Sequence, residues 1–400
     1  MSEVGSVSDP IRLAHRLDQV CASQTQQVLV AVEQLRRQGV DVIDLGVGEP
    51  DFPTPDHVKT AAAAAIRDNF TKYTAGAGIM ALREAIARHY AERYGVTYDT
   101  SGVVVTAGGK QALYNIAMAL FGPGDEVITH VPGWPSIVEQ IHLAGADPVR
   151  VRTAAEEGFE LRAEPFLEAV TPRTRGIVIN SPGNPTGAVM SEPELARLAD
   201  GLAERDIWLV LDLCYEQLIY DDTPHNLPHV LWDRLADRTV LVGTASKSYA
   251  MTGWRCGWLL APAAVAAACN VVQSHSTSHV TSITQRAALA ALTGPQACVE
   301  TMRDEFRARR DAVLSWLDGD ARFRVTRPAG AFYLFPDVSE LLSPDGMRTS
   351  ADFVQALLRD AHVAVTPGEA FDAPGFIRLS YAAPMDQLRE AWRRIQRFLG

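Results

Sequence analysis

The sequence predicts an α/β protein with a mainly parallel sheet covered by helices and a smaller α+β unit beside it. Three observations carry this. The middle of the chain alternates short β-branched runs with longer helical patterns, as βαβ units do. Those runs are apolar almost throughout, as strands buried on both faces are. The two ends of the chain read differently, with long helices and only two short apolar runs near the C-terminus.

Taken in order, residues 19–38 read as one long helix closing at Gly39, a residue suited to a helix C-cap. Val103–Thr106 (VVVT) reads as a strand, and residues 111–121 (QALYNIAMALF) have apolar positions at helical spacing. Residues 126–129 (EVIT) form the next strand, followed by a helix over 136–143. Further strands are expected at 176–180 (GIVIN), 209–212 (LVLD), 239–242 (TVLV) and Gly257–Leu260 (GWLL). A long charged helix follows near 295–316, then strands at 331–335 and 376–381, and a closing helix from Asp386. No repeat, low-complexity segment or Pro/Ser linker is visible, so any domain boundary is expected in a continuous helix or a short turn.

The chain has 400 residues, enough for two or three domains at about 150 residues each. Its 37 basic and 48 acidic side chains give a net charge of −11, which argues against broad nucleic-acid binding. The start, MSEVGSVSDP, has neither a basic region nor an apolar run and is not expected to be a signal peptide. The most apolar stretch, 257–272, is interrupted by Pro262 and Asn270 and falls short of a membrane span. The cysteines (Cys21, Cys214, Cys256, Cys269, Cys298) are scattered and contain no CxxC pair, so buried thiols in a cytoplasmic protein are expected. No Walker loop, HExxH or EF-hand loop is present, and no GxGxxG follows a strand.

Candidate chemistry therefore lies at strand ends, where open α/β sheets collect their ligands. Lys247 follows an apolar strand. Most such lysines are solvated loop residues. Here the neighbours are Ser, Thr, Tyr and Gly, a setting for a Schiff-base nucleophile of lowered pKa. Arg255 offers a fixed fork for a phosphate. Asp212 ends a strand three residues before Tyr215. It reads either as a helix N-cap or as a buried carboxylate facing a protonated ring nitrogen; taken alone, the cap is the simpler reading. Asn184 is bracketed by Pro182 and Pro185, which is turn chemistry but also fixes an amide that can donate to an aromatic hydroxyl. Gly108-Gly109-Lys110 opens a helix directly after a strand, where backbone N–H groups bind anions. Trp134 is a core residue or a ring that stacks on a flat cofactor.

Together these segments resemble the fold-type I aminotransferases that use pyridoxal 5'-phosphate (PLP), most closely the aspartate aminotransferase branch of bacteria. The resemblance runs from about Ser23 to the C-terminal helix. It rests on Gly48-Glu49-Pro50-Asp51-Phe52, Tyr73, Gly108-Gly109-Lys110-Gln111-Ala112, Asn184-Pro185-Thr186-Gly187, Ser246-Lys247 with Met251-Thr252-Gly253-Trp254-Arg255, and Arg378-Leu379-Ser380-Tyr381, in that order. It implies a large PLP-binding domain (56–295) with a mainly parallel seven-stranded sheet. A small α+β domain would be built from the N-terminal segment (1–55) and the C-terminal residues (296–400).

The resemblance also implies roles. Lys247 would form the Schiff base with PLP and shuttle the proton. Asp212 would pair with the ring nitrogen, Asn184 and Tyr215 would bond the ring hydroxyl, and Trp134 would stack on the ring. Gly108, Gly109, Lys110 (through its backbone), Thr244 and Arg255 would hold the phosphate, and Tyr73 would reach the phosphate of a neighbouring subunit, making a homodimer with shared sites. Arg378 would clamp the substrate α-carboxylate, with Gly48 opposite. The Lys110 side chain and Thr25 would contact an acidic side chain, implying aspartate and 2-oxoglutarate as the substrate pair. Another amino acid, prephenate, or a lyase or oxidase reaction on the same scaffold are the alternatives. Two positions depart from the family pattern. Leu213 stands where the family has Glu. Gly133 stands where an aromatic commonly precedes the tryptophan, leaving room for a bulkier donor.

Overall fold

The computed structural model describes residues 14–21, 24–344 and 346–400. A short strand, β1 (Ile43–Asp44), precedes the main sheet. That sheet contains β2 (Val103–Thr106), β3 (Glu126–Val131), β4 (Asp147–Arg152), β5 (Thr174–Asn180), β6 (Trp208–Asp212), β7 (Thr239–Thr244) and β8 (Gly257–Leu260), in the order β2-β8-β7-β6-β5-β3-β4. Neighbours from β7 to β4 pair in parallel, and β8 runs antiparallel to both β7 and β2. The expected mainly parallel, seven-stranded sheet is thus present.

Alternation along each strand divides the apolar side chains between two cores, because successive Cβ atoms point to opposite faces. Val103, Val105, Ile128, Ile177, Ile179, Leu209, Leu211 and Leu241 enter one. Val104, Val127, Val178, Val210, Val240, Val242 and Leu259 enter the other. Each such side chain, fully buried, contributes about 1.5–3 kcal/mol, so the sheet is stabilised from both sides.

Several elements differ from the sequence expectation, which held no strand at β1, Val363–Ala364 or Thr366–Pro367 and no helix over Asp56–Arg67 or Met80–Tyr94; two more bear on the site's surroundings. β4 was not foreseen as a strand. It is an edge strand, paired only with β3 among the described residues, and its sequence DPVRVR alternates charge with apolar character instead of forming an apolar run. An edge also tolerates Pro148, which cannot donate to a ladder. The N-terminal helix spans Gln24–Arg37, preceded by a turn at His15–Asp18, and does not begin at residue 19. The Cys21 backbone N–H donates instead to the Glu139 carboxylate at 3.0 Å. The helix ends close to Gly39, as expected, with the Gly39 N–H on the Arg36 carbonyl.

The last third adds β9 (Tyr333–Leu334), β10 (Val363–Ala364), β11 (Thr366–Pro367) and β12 (Ile377–Ser380). β12 lies between β11 and β9 in an antiparallel sheet, and β1 pairs in parallel with β10. Residues near 45 and residues near 370 therefore share one sheet system and one core, which joins Ile43 and Leu45 to Phe306, Val363, Ile377 and Leu379. The helix Ala297–Asp318 links the cores: Val299 packs under the main sheet, whereas Phe306, Val313, Leu314 and Leu317 pack into the second core.

Arg310 on this helix is 0% exposed. It donates to the Pro328 carbonyl at 3.0 Å, pairs with Asp221 at 2.8 Å and lies 4.7 Å from the Tyr220 ring centroid. Removing it leaves the buried Pro328 carbonyl without its donor, although Asp221 keeps Arg327, and opens a cavity. Arg310→Ala is expected to cost about 3 kcal/mol of unfolding free energy in urea titrations, and Arg310→Met less, because it refills the space over Tyr220. Equal stability of Arg310→Ala and the parent chain would contradict this.

Candidate active site

The carboxyl ends of β5, β6 and β7 open into a cavity of about 440 Å³, lined among others by Asn180, Asp212, Thr244, Lys247 and Arg378. Asp212, the last residue of β6, is 2% exposed. Its Oδ1 accepts the Cys214 N–H at 3.1 Å, and its Oδ2 accepts the Asn180 amide at 3.2 Å. Asn180 reaches it because the two residues are in register at the ends of adjacent parallel strands. Burial pushes the Asp212 carboxyl up to about 7, against the Cys214 N–H and the positive charge of Lys247. No helix starts at Asp212, so it is not a helix N-cap; it accepts the N–H of a turn residue and forms part of the cavity wall.

Lys247 sits in the short helix Ala245–Ser248, which Thr244 caps by accepting the Ser246 N–H. Its Nζ donates to the Gly48 carbonyl. Burial lowers its pKa, the direction a nucleophilic amine requires. Arg255, on the cavity wall, adopts a left-handed conformation (φ 56°) and donates to the carbonyls of Thr252 (3.0 Å) and Ala107 (3.2 Å). Its guanidinium lies beside the start of the helix Gly109–Leu120, whose first N–H groups have no intrahelical acceptor. A Cβ on Gly108 would come 2.7 Å from Arg255 Nη2, so only glycine leaves that cation in place. Helix N-terminus, Arg255 and the buried hydroxyls of Thr244 and Ser246 make a cradle for a dianionic phosphate.

Arg378 on β12, 3% exposed, also lines the cavity. It donates to Asn184 Oδ1 at 2.9 Å, to the Gly46 carbonyl at 2.6 Å and to Thr366 Oγ1 at 3.4 Å. It also packs on the Tyr333 and Phe371 rings, 4.5 and 5.1 Å from their centroids. Its buried Nε has no partner. A buried guanidinium with no carboxylate hydrogen-bonded to it among the described residues is suited to an anionic ligand. The Tyr215 and Tyr333 hydroxyls meet at 2.8 Å, and burial pushes the Tyr215 phenol well up. Lys110 Nζ lies 5.0 Å from the Trp134 ring centroid, on the cavity wall. These donors suit a planar phosphorylated heteroaromatic whose ring nitrogen is protonated: a phosphate cradle, a buried carboxylate with its pKa raised by burial, an aromatic wall and a free amide on Asn184.

Of the residues singled out in the sequence, Gly48, Gly109, Lys110, Trp134, Asn184, Asp212, Tyr215, Thr244, Lys247, Arg255 and Arg378 line this cavity, and Gly108 adjoins it through Arg255. Tyr73 does not line it; it is 91% exposed, with its ring edge against His279. The Thr25 side chain lies outside the described residues. The room expected from Gly133 is not in this cavity. Gly133 lines a neighbouring one, and a Cβ there would come 2.3 Å from the His130 carbonyl oxygen. Leu213 is buried in the main core. Asn180, Ser246 and Tyr333 were not assigned to the site from the sequence, although Ser246 stood in a quoted motif and Asn180 at a strand end. Among the described residues no group of three or more His, Cys, Asp or Glu could hold a metal ion, and no helix is long and apolar enough to cross a membrane.

Residues 40–395 match the family model for aminotransferase class I and II. Aspartate aminotransferase of Geobacillus stearothermophilus is 41% identical over 389 residues, covering 97% of this chain and 99% of the relative. Aspartate/prephenate aminotransferase of Cereibacter sphaeroides is 43% identical over 392 residues, covering 96% and 98%. Among solved structures, aspartate aminotransferase of Thermus thermophilus with maleate superposes with a TM-score of 0.91 at 41% identity, covering 97% of this chain and 100% of that one.

The raised Asp212 carboxyl has a consequence for stability. An acid whose pKa is raised from 3.8 to about 7 by folding is held in its protonated form. Its contribution to stability is complete below its unfolded pKa and is lost as pH rises through the folded value. In protein freed of bound small molecules, unfolding midpoints in urea should therefore fall less between pH 4 and pH 7 for Asp212→Asn than for the parent chain. Identical pH slopes for the two proteins would contradict the burial argument.

Proposed function

The chain belongs to the class I and II aminotransferases, and we propose that it transfers the amino group of L-aspartate to 2-oxoglutarate, yielding oxaloacetate and L-glutamate, with PLP as its cofactor. The observation that carries this reading is the gathering of Lys247 and Asp212 with two arginines, Arg255 and Arg378, in a single cavity, where both guanidinium charges act on Lys247.

In this reading Gly109, Lys110, Thr244, Ser246 and Arg255 would hold the cofactor phosphate, Trp134 would face the ring, and Asn184 Nδ2 and Tyr215 would bond its hydroxyl. Asp212 would pair with the ring nitrogen. The cationic N–H would restore the carboxylate to its charged form, which burial alone disfavours. Bound PLP supplies an electron sink for the carbon that loses its proton. Arg378 pairs with the substrate α-carboxylate and orients the Cα–H bond. Lys247 Nζ, its pKa lowered by burial, would take the proton from the substrate Cα and hold it.

Lys110 supports an acidic side chain on the preferred donor, since its ammonium is on the cavity wall with no carboxylate bound to it among the described residues. Prephenate is a second acceptor to be considered, because relatives with that activity in their names span nearly the whole chain. The exposed Tyr73 supports a homodimer in which this ring reaches the partner's phosphate site. The scattered cysteines, none of them in a disulfide among the described residues, support a cytoplasmic location.

A donor series tests the substrate. Aspartate should be turned over faster than leucine, alanine or phenylalanine with 2-oxoglutarate, and Lys110→Ala should erase most of that preference. An apolar donor turned over much faster than aspartate would overturn it. Lys247→Ala should lower kcat by about 10³-fold or more, and Arg378→Leu should raise KM for donor and acceptor alike by about 100-fold.

A further inference from the structure

We infer that Asp44 is a positioning residue for the substrate clamp, its side chain holding the turn at residues 46–48 whose carbonyls seat Arg378 and Lys247. The inference rests on the aminotransferase reading above. Asp44 is the last residue of β1. The Leu45 N–H still bonds the Ala364 carbonyl at 2.8 Å, and the Leu45 carbonyl accepts the Ser380 N–H at 2.8 Å. Beyond Leu45 the chain leaves both strands. The Gly46 N–H then has no strand partner, and Asp44 Oδ1 accepts it at 2.9 Å. Such a side-chain acceptor two residues back fixes the course of a turn.

That turn carries two functional acceptors. The Gly46 carbonyl accepts from Arg378 Nη2 at 2.6 Å and from Thr366 Oγ1 at 3.3 Å. The Gly48 carbonyl accepts from Lys247 Nζ. One contact made by Asp44 thus sets two carbonyl positions. Its other oxygen, Oδ2, is buried without a partner. Arg36 and Arg378 attract the carboxylate only at longer range. Backbone N–H groups of the turn, Gly46 at 2.9 Å and Val47 with it, are therefore its specific partners, and the asparagine side-chain oxygen can accept from the same groups.

Arg378 binds the α-carboxylate in the ground state and the transition state alike. A misplaced Arg378 raises KM with little change in kcat. Lys247 keeps its own capped helix, so its chemistry is largely spared. The experiment measures kcat and KM for aspartate and for 2-oxoglutarate, with thermal midpoints, in Asp44→Ala, Asp44→Val and Asp44→Asn holoenzymes. Asp44→Ala and Asp44→Val should raise both KM values by about tenfold, with kcat within about threefold. Asp44→Asn should restore KM to near the parent value. Unchanged KM in both apolar variants would overturn the inference. So would an Asp44→Asn variant as impaired as Asp44→Ala, which would assign the effect to charge. Failure of both apolar variants to fold would assign Asp44 a structural role and also overturn it. If the parent chain itself transfers no amino group, the aminotransferase reading fails. If the parent is active and the variants match it, only the role of Asp44 fails.

Discussion

The site depends on the burial of a carboxylate at the end of an otherwise apolar strand. Every residue of β6 before Asp212 is apolar, and two of them, Leu209 and Leu211, pack into the main core while Val210 packs into the opposite one. The strand cannot shift to bring Asp212 into water without exposing both cores. Asp212 is thus held where its charged form is disfavoured, supported by one amide and one backbone N–H. A cationic N–H brought into the cavity would relieve that cost, so the fold itself builds the demand for such a ligand.

The remaining groups come from parts of the chain far apart in sequence. Lys247 and Arg255 follow β7 on the main sheet, whereas Arg378 belongs to the second core, with β12. Several contacts join these parts directly, two of them made by the cationic groups themselves. Arg378 bonds Asn184 across 194 residues, and Lys247 bonds the Gly48 carbonyl across 199. The cavity is therefore a seam between two hydrophobic cores. The net charge of −11 describes the surface; the seam holds Lys110, Lys247, Arg255 and Arg378.

Much of this was legible in the sequence because strand ends in an α/β sheet are marked by a change from apolar to polar residues. β2 and β8 fell on their expected boundaries, and the ends of β5, β6 and β7 yielded Asn184, Asp212 and Lys247. What escaped had physical reasons. β4 is half-solvated at an edge and lacks the apolar run that marks its neighbours. Tyr333 lies within the aromatic-rich run 331–335, where its hydroxyl is indistinguishable from a core ring until Tyr215 is placed against it. Gly133 looked like open space in sequence, but its missing side chain is accounted for by the close His130 carbonyl. Asp44 gave no local signal, since its partner is a backbone N–H that is left unpaired only once β1 docks on β10.

The most direct test of the central claim is chemical mapping of the cofactor. The protein purified with PLP is reduced with borohydride, digested, and its peptides are sequenced by mass spectrometry. The account predicts a pyridoxyl group on Lys247 and no such group on Lys110, together with loss of the visible absorbance band on reduction. A colourless protein with no label after incubation with PLP, or a label confined to other lysines, would contradict it.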